Sequence, residues 1–396
     1  MNALVNPYAP GAGSAPPELA GRDRLRQDVA ISIERIRRCK AAKSVLLVGL
    51  RGVGKTVLLD QMRKDAEDTG VQAVRIEAPE NRSLPAVLAP QLRQVLLRLS
   101  RVESAKKMAQ RGLRALAGFA MALKVHYSDI EVGLDLEPLA GLADNGDLEG
   151  DLAALLEEVG LAARKASTAV VLFIDELQYL ETDQFAALIS ALHRCSQGNL
   201  PLTLVGAGLP QLRARAGDAK SYSERLFEYP MIGPLNEADV ELALVKPAHE
   251  EGVEFETAAV TRIIQATRGY PYFLQEWGKH VWNVAERSPI TADDVVAAEV
   301  EVMAALDESF FRVRFDRLTV KEKHYLRAMA ELGPGPHRSG DVAKVLGKGV
   351  TSQGPVRQSL INKGMIWSPS HGDTAFTVPL FNEFMKRIVP GDDWRE

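Results

Sequence analysis

Ser44–Thr56 reads SVLLVGLRGVGKT, and this stretch decides the architecture. Ser44–Val48 is a short apolar run rich in β-branched residues, the pattern of a buried parallel strand. Gly49-x-x-x-x-Gly54-Lys55-Thr56 follows, and Val57–Asp68 has helical periodicity. A strand, then a glycine-rich loop, then a helix is the setting in which backbone amides cradle phosphates. The glycines let the chain turn so that successive N–H groups point inward. The helix N-terminus adds partial positive charge. The cradle comprises Gly49, Leu50, Arg51, Gly52, Val53, Gly54, Lys55, Thr56 and Val57. Lys55 is expected to reach the β- and γ-phosphates of ATP, and the Thr56 hydroxyl to ligate Mg²⁺.

A second apolar run, Ala169–Ile174, ends in Asp175-Glu176. Two acids closing a buried strand downstream of a phosphate loop form a Walker B pattern. Asp175 at the strand tip is expected to hold the metal beside Thr56. Glu176, one residue further out, is expected to orient or deprotonate the attacking water.

The bulk numbers set bounds. At 396 residues, two or three domains are expected. The net charge of −4 argues against a uniformly nucleic-acid-coating protein but leaves room for one basic module. No basic stretch followed by an apolar core opens the chain, and no apolar run is long enough to span a membrane. Cys39 and Cys195 are isolated and lack metal spacing, as in a reduced, cytoplasmic protein.

Residues 1–17 are rich in Pro, Gly and Ala and are expected to be extended and flexible. Leu25, Val29, Ile33 and Ile36 then give one apolar face to a helix over Arg24–Arg38, with Asp23 before it. Val71–Glu77 reads as a second strand, and Ser83 caps a helix over Leu84–Leu99. Residues 101–147 exceed what a compact parallel core needs between strands. They read as an insertion, with a basic, Ala/Leu-rich helix, an alternating segment at 128–137 and a turn at Asp144-Asn145-Gly146. This insertion is either a packed decoration or a surface for a protein partner or membrane face. A fourth strand is expected at Leu200–Gly206 and a fifth near Leu226–Ile232. Residues 236–310 then read as helix after helix.

These features together resemble AAA+ P-loop ATPases of the origin-recognition-like clade. The resemblance rests on the Gly21-Arg22 lead-in, the two Walker motifs, GYPYFLQ at 269–275 and the C-terminal module described below. It implies an α/β AAA+ parallel-sheet core over 18–235, a helical lid over 236–312, and Leu19 to Arg22 lying against the adenine. An arginine finger acting on a neighbouring subunit of a homo-oligomer would be Arg225, or else Arg213 or Arg215. The polar residue that senses the γ-phosphate from the fourth strand has no counterpart: that strand carries only Thr203. The second-sensor arginine would fall near Tyr272, leaving Arg268 as its stand-in.

Residues 317–390 show three helices and then a two-stranded hairpin, the pattern of a winged helix-turn-helix within 313–396. Thr319-Val320-Lys321-Glu322 is a capping box. This segment holds eleven Lys/Arg against five acids in a chain that is acidic overall. If its third helix enters the major groove of double-stranded DNA, Thr351, Ser352, Gln353, Arg357 and Gln358 face the bases. Lys348, Lys363, Ser370 and His371 would then touch the backbone. These readings imply a nucleotide-controlled, DNA-binding ATPase with slow hydrolysis. The rival is a signalling or scaffold ATPase whose C-terminal module and insertion bind protein. A third option binds nucleotide tightly without cycling.

Overall fold

A computed structural model describes all residues except 12, 80, 81, 131–136, 392, 393, 395 and 396. The first helix is α1 (Asp23–Arg37), followed by β1 (Ser44–Gly49), α2 (Lys55–Asp68) and β2 (Gln72–Glu77). Next come α3 (Leu84–Leu99), α4 (Lys106–Leu123), α5 (Leu148–Lys165), β3 (Val170–Asp175), α6 (Thr182–Gln197) and β4 (Leu202–Gly208). Short α7 (Leu212–Ala219) and α8 (Ser223–Leu226) lead to β5 (Phe227–Glu228) and β6 (Met231–Ile232), which divide the expected fifth strand.

All pairings in this sheet are parallel, in the order β2-β3-β4-β1-β5, with β6 also on β1. Both β1 and β3 are buried along their whole length, as strands covered on both faces must be. One face packs on α1 and α2, the other on α3 to α6. Parallel strands present their carboxyl ends at one edge, so the loop after β1 and the acids closing β3 share a rim.

The Ala/Leu-rich helix of the insertion, α4, places Ala109, Leu113, Leu116 and Phe119 in the core against α3 and α5. Its apolar face is therefore spent on packing. Of the expected 128–137 strand, 131–136 lie outside the described residues. Asp129 instead accepts from the amide and hydroxyl of Ser83, tying the insertion to the α3 cap. Among the described residues no helix is long and apolar enough to cross a membrane.

The helical region follows as α9 (Glu237–Glu250), α10 (Thr257–Thr267), α11 (Pro271–Val284) and α12 (Ala292–Leu306). A π-helical turn, Asp307–Arg312, and α13 (Val313–Phe315) link it to the C-terminal module. That module holds α14 (Val320–Leu332), β7 (His337–Arg338), α15 (Ser339–Val345), α16 (Val350–Asn362), β8 (Ile366–Trp367), β9 (Asp373–Phe376) and α17 (Phe381–Ile388). Its antiparallel strands run β7-β9-β8, and the Thr319/Glu322 capping box is formed in both directions. This arrangement fits a winged-helix-like module.

Two features depart from expectation. The helical region and the C-terminal module share one hydrophobic core. An aromatic run joins them: Tyr272 stacks on Phe310 at 4.7 Å, Phe310 meets Phe311 edge-on, and Phe311 stacks on Phe384 at 5.1 Å. The second departure corrects the flexible-tail expectation for residues 1–17. Tyr8 is buried and its hydroxyl donates to the Leu244 carbonyl, Asn6 Nδ2 donates to the Lys279 carbonyl, and Trp282 Nε1 donates to the Asn2 carbonyl. Gly278 makes room, since any Cβ there would overlap the Tyr8 ring. Turn-forming composition hid a segment whose one large aromatic docks in a notch on α11.

Candidate nucleotide site

The rim at the carboxyl ends of β1 and β3 opens into a cleft of about 1020 Å³. One wall is the loop, Arg51 to Thr56. Gly52 and Gly54 adopt left-handed φ values of +79° and +87°, where a side chain is strained, so the GxG of this loop is conformationally required. A side chain at Gly52 would also meet Phe310 and Tyr272. Lys55 is buried, and its ammonium donates to the Gly49 carbonyl at 3.0 Å and the Leu50 carbonyl at 2.8 Å. Burial pulls its pKa down to about 8, against the field of Glu176 and Asp175. A buried ammonium without an ion-pair partner favours an arriving polyanion.

The Walker B side meets this wall directly. Thr56 and Asp175 both line the cleft here, and burial pushes the Asp175 carboxyl up while the nearby Thr56 hydroxyl counters part of that rise. The two oxygens expected to share a metal are thus neighbours. Mg²⁺ takes one or two protein ligands and completes its shell with phosphate oxygens and water. A hydroxyl and a single carboxylate fit it. Among the described residues no cluster of three His, Cys, Asp or Glu competes for a cation.

Glu176 lines the cleft in a left-handed conformation, φ 51°. Gln178 donates to its carboxylate, and Arg51 lies 3.9 Å away. The Gln178 side-chain Oε1 in turn accepts the Leu209 amide at 3.0 Å, just past β4. Gly208 is bare to admit it; a Cβ there would stand 2.7 Å from Gln178 Oε1. Gln178 therefore occupies the space at the tip of β4 where no sensor was found. Thr203 does not reach the cleft: it is buried, with its hydroxyl 3.0 Å from Ser44 Oγ.

The remaining walls come from three directions. Leu19 and Arg22 line the cleft, with Arg22 donating to the Gly233 carbonyl at 2.6 Å. Residues of the N-terminal segment, including Pro10, Gly13 and Ser14, lie across it, and a Cβ on Gly13 would sit 3.5 Å from the Thr56 methyl. Tyr272, Gln275, Phe310 and Arg314 close the far side.

Arg268 is a correction. It caps α10 at φ 50° and pairs with Glu383 of α17 at 2.7 Å, outside the cleft. Its position just before Pro271 made it the nearest cation in sequence, but the left-handed turn carries it away. Of the finger candidates, Arg215 donates to the carbonyls of Gln178 and Leu180, and Arg213 lies over the Tyr229 ring. Arg225 is exposed on α8.

In the C-terminal module, Thr351 and Ser352 are exposed and Gln353 half-buried. Two of the expected DNA contacts are engaged within the module. Arg357 binds within the module to Thr374 Oγ1, Ser368 Oγ and the Asp373 carbonyl. Lys363 is paired with buried Glu322 at 2.7 Å. Both cations hold the hairpin and α14 to α16. Lys344 and Lys348 are the exposed cations on α15 and the turn after it.

A parallel sheet with this loop, these paired acids and this rim defines a P-loop nucleotide-binding protein. Residues 18–205 match the family described as AAA ATPase domain, and the protein carries that domain in an AAA+ fold. Residues 308–385 match a family described as a domain of unknown function (DUF8462). No curated protein matches the chain in sequence. Among solved structures, a Walker-type ATPase of Pyrococcus abyssi is similar at 16% identity, covering 94% of this chain and 97% of that one, with a TM-score of 0.56. The Aeropyrum pernix ORC1 protein in complex with DNA aligns at 15% identity over 94% of each chain, TM-score 0.47. The Thermotoga maritima RuvB Holliday junction branch migration motor aligns at 18% identity over 94% and 95%, TM-score 0.45.

Gln178, Arg314 and the N-terminal segment are site elements that the motifs did not mark. Gln178 carries a weak signal, two residues after the Walker B acids. Arg314 carries none: it sits in an unremarkable helical stretch, far from either motif.

Proposed function

We propose that the protein binds and hydrolyses ATP and uses the nucleotide state to control DNA binding by its winged module. The observation that carries the nucleotide half is that Thr56 and Asp175 line one cleft beside the buried Lys55 ammonium. Thr56 and Asp175 would hold Mg²⁺, which neutralises charge developing on the phosphates. Lys55 and the loop amides bind the β- and γ-phosphates. Leu19 and Arg22 face the base. Glu176, freed from Gln178 and Arg51, orients and deprotonates water. Arg225, exposed, is the residue available to a neighbouring subunit of a homo-oligomer.

The control half is supported by contact. The Arg51 amide donates to the Thr377 carbonyl, and its guanidinium reaches the Gly364 carbonyl at 3.5 Å. The phosphate loop thus touches the module at the turn after its third helix. Thr351, Ser352 and Gln353 would read bases, with Lys344 and Lys348 on phosphates. Against this stands the inward use of Arg357 and Lys363, which favours the protein-binding alternative. Titrating duplex DNA against salt, with ATP, ADP and no nucleotide, separates them. Two lysines on phosphates give a log–log slope of about −1.8. A nucleotide-dependent slope of that order supports the switch; no salt dependence overturns DNA binding.

A further inference from the structure

We propose that Arg314, reaching the cleft from the junction between the helical region and the winged module, contacts the terminal phosphate of the bound nucleotide and distinguishes a triphosphate from a diphosphate. This rests on the nucleotide reading above.

Arg314 lines the cleft together with Arg51, Lys55 and Glu176. Its guanidinium donates to the Phe310 carbonyl one turn back and lies over the Phe310 ring at 4.5 Å. Among the described residues no carboxylate lies within ion-pair distance of it. The charged or titratable groups whose fields reach it are Arg51, Tyr272, Tyr179 and Glu176, and the largest of these is the like charge of Arg51. Burial with that repulsion pulls its pKa down to about 10. Arg51 meanwhile is held to the Tyr179 hydroxyl at 2.7 Å. Two guanidiniums therefore share the wall beside Glu176, and one of them lacks an anion. A dianionic phosphate oxygen cluster relieves both the repulsion and the missing partner. The planar fork of arginine suits that geometry.

The backbone places Arg314 for this purpose. Asp307–Arg312 is a π-helical turn, a wide turn that re-aims the residues after it and recurs at functional sites. Phe310 in that turn packs against the loop at Gly52 and stacks on Tyr272. Tyr272 itself donates its amide to the Gly52 carbonyl at 3.2 Å. Tyr272 thus fills the place where a lid arginine was sought, and Arg314 supplies the cation from the next element along the aromatic run. Because that run continues to Phe384, the residue sensing the phosphate is joined to the winged module.

The test is equilibrium titration of the full chain with ADP and with a non-hydrolysable β,γ-imido ATP analogue, both with Mg²⁺. Wild type, Arg314→Gln and Arg314→Lys are compared after thermal unfolding shows each folded. Losing a charged hydrogen bond is worth about a tenfold or larger drop in affinity. That drop is expected for the triphosphate in Arg314→Gln, with ADP affinity changed by less than about twofold and Arg314→Lys recovering part of the loss. Equal losses for both nucleotides, or none for the triphosphate, overturn the proposal. Wild type that binds neither nucleotide overturns the nucleotide reading itself, and the wild-type curves alone reveal that case.

Discussion

The backbone amide of Arg51 donates to the carbonyl of Thr377 at 3.0 Å, so the phosphate loop and the winged module are in direct contact. Gly364 forms the other half of this junction. It has φ +65°, and a Cβ would stand 2.9 Å from Arg51 Nη2 and 3.0 Å from Leu209 Cδ1. Gly364→Ala is therefore expected to lower unfolding free energy by about 1–2 kcal/mol through left-handed strain and to loosen the module. Denaturant unfolding and limited proteolysis across residues 313–320 measure both. An unchanged transition with unchanged cleavage would contradict the junction.

Lys55→Ala removes the buried ammonium proposed to meet the phosphates. Nucleotide affinity is expected to fall below detection. Glu176→Gln keeps the cradle and should bind ATP yet fail to turn it over. Gln178→Ala frees the Glu176 carboxylate from its donor, so turnover should rise while binding persists. Normal turnover in Glu176→Gln would remove that residue from the base role.

The N-terminal segment is held by Tyr8, whose hydroxyl donates to the Leu244 carbonyl in a buried site. Tyr8→Phe removes that bond and is expected to cost about 1 kcal/mol. Tyr8→Ala also empties the notch at Gly278 and should cost about 3–5 kcal/mol. Because the segment crosses the cleft beside Thr56, nucleotide release should quicken in Tyr8→Ala. Stopped-flow displacement of a fluorescent nucleotide reads the rate, and an unaltered rate would show the strap to be only a stabilising one.

Glu322 gives the winged module an acid-sensitive anchor. Burial alone would raise its pKa. The bonds from Lys363, Ser359 and Thr319 outweigh that and hold it down to about 2. A carboxyl with a folded pKa below its unfolded value stabilises above the unfolded pKa and stops doing so as pH falls through the folded one. Stability is thus expected to decline between about pH 4.5 and pH 2, by about 3 kcal/mol from this group. Glu322→Gln should lower stability at neutral pH and flatten that part of the acid profile. The difference between the two unfolding profiles is the measurement.

Much of this site was legible in the chain because it is local. The loop Gly49–Thr56 needs glycine where φ is positive, an apolar strand before it and a helix after it, all within consecutive residues. The DE pair is marked by the strand it closes. The capping box at Thr319 and Glu322 spans three residues and formed as read. Charge counts were less informative. They located a basic module but could not separate Arg357 and Lys363, which bond to groups within it, from Lys344 and Lys348, which are exposed on α15 and the turn after it.

The sequence by itself determined the parallel sheet, the phosphate loop, the paired acids and the order of modules, since each is written in short-range periodicity and spacing. Tertiary structure alone decided that the N-terminal segment docks through Tyr8 and reaches the cleft at Ala9 to Gly11, that Arg268 leaves the cleft and Arg314 enters it, and that the helical region and C-terminal module share one core. Those outcomes depend on contacts between residues hundreds of positions apart, such as Tyr8 with Leu244 and Arg51 with Thr377. No local pattern encodes such pairings; shape complementarity and the burial of aromatic surface select them only once the elements have formed.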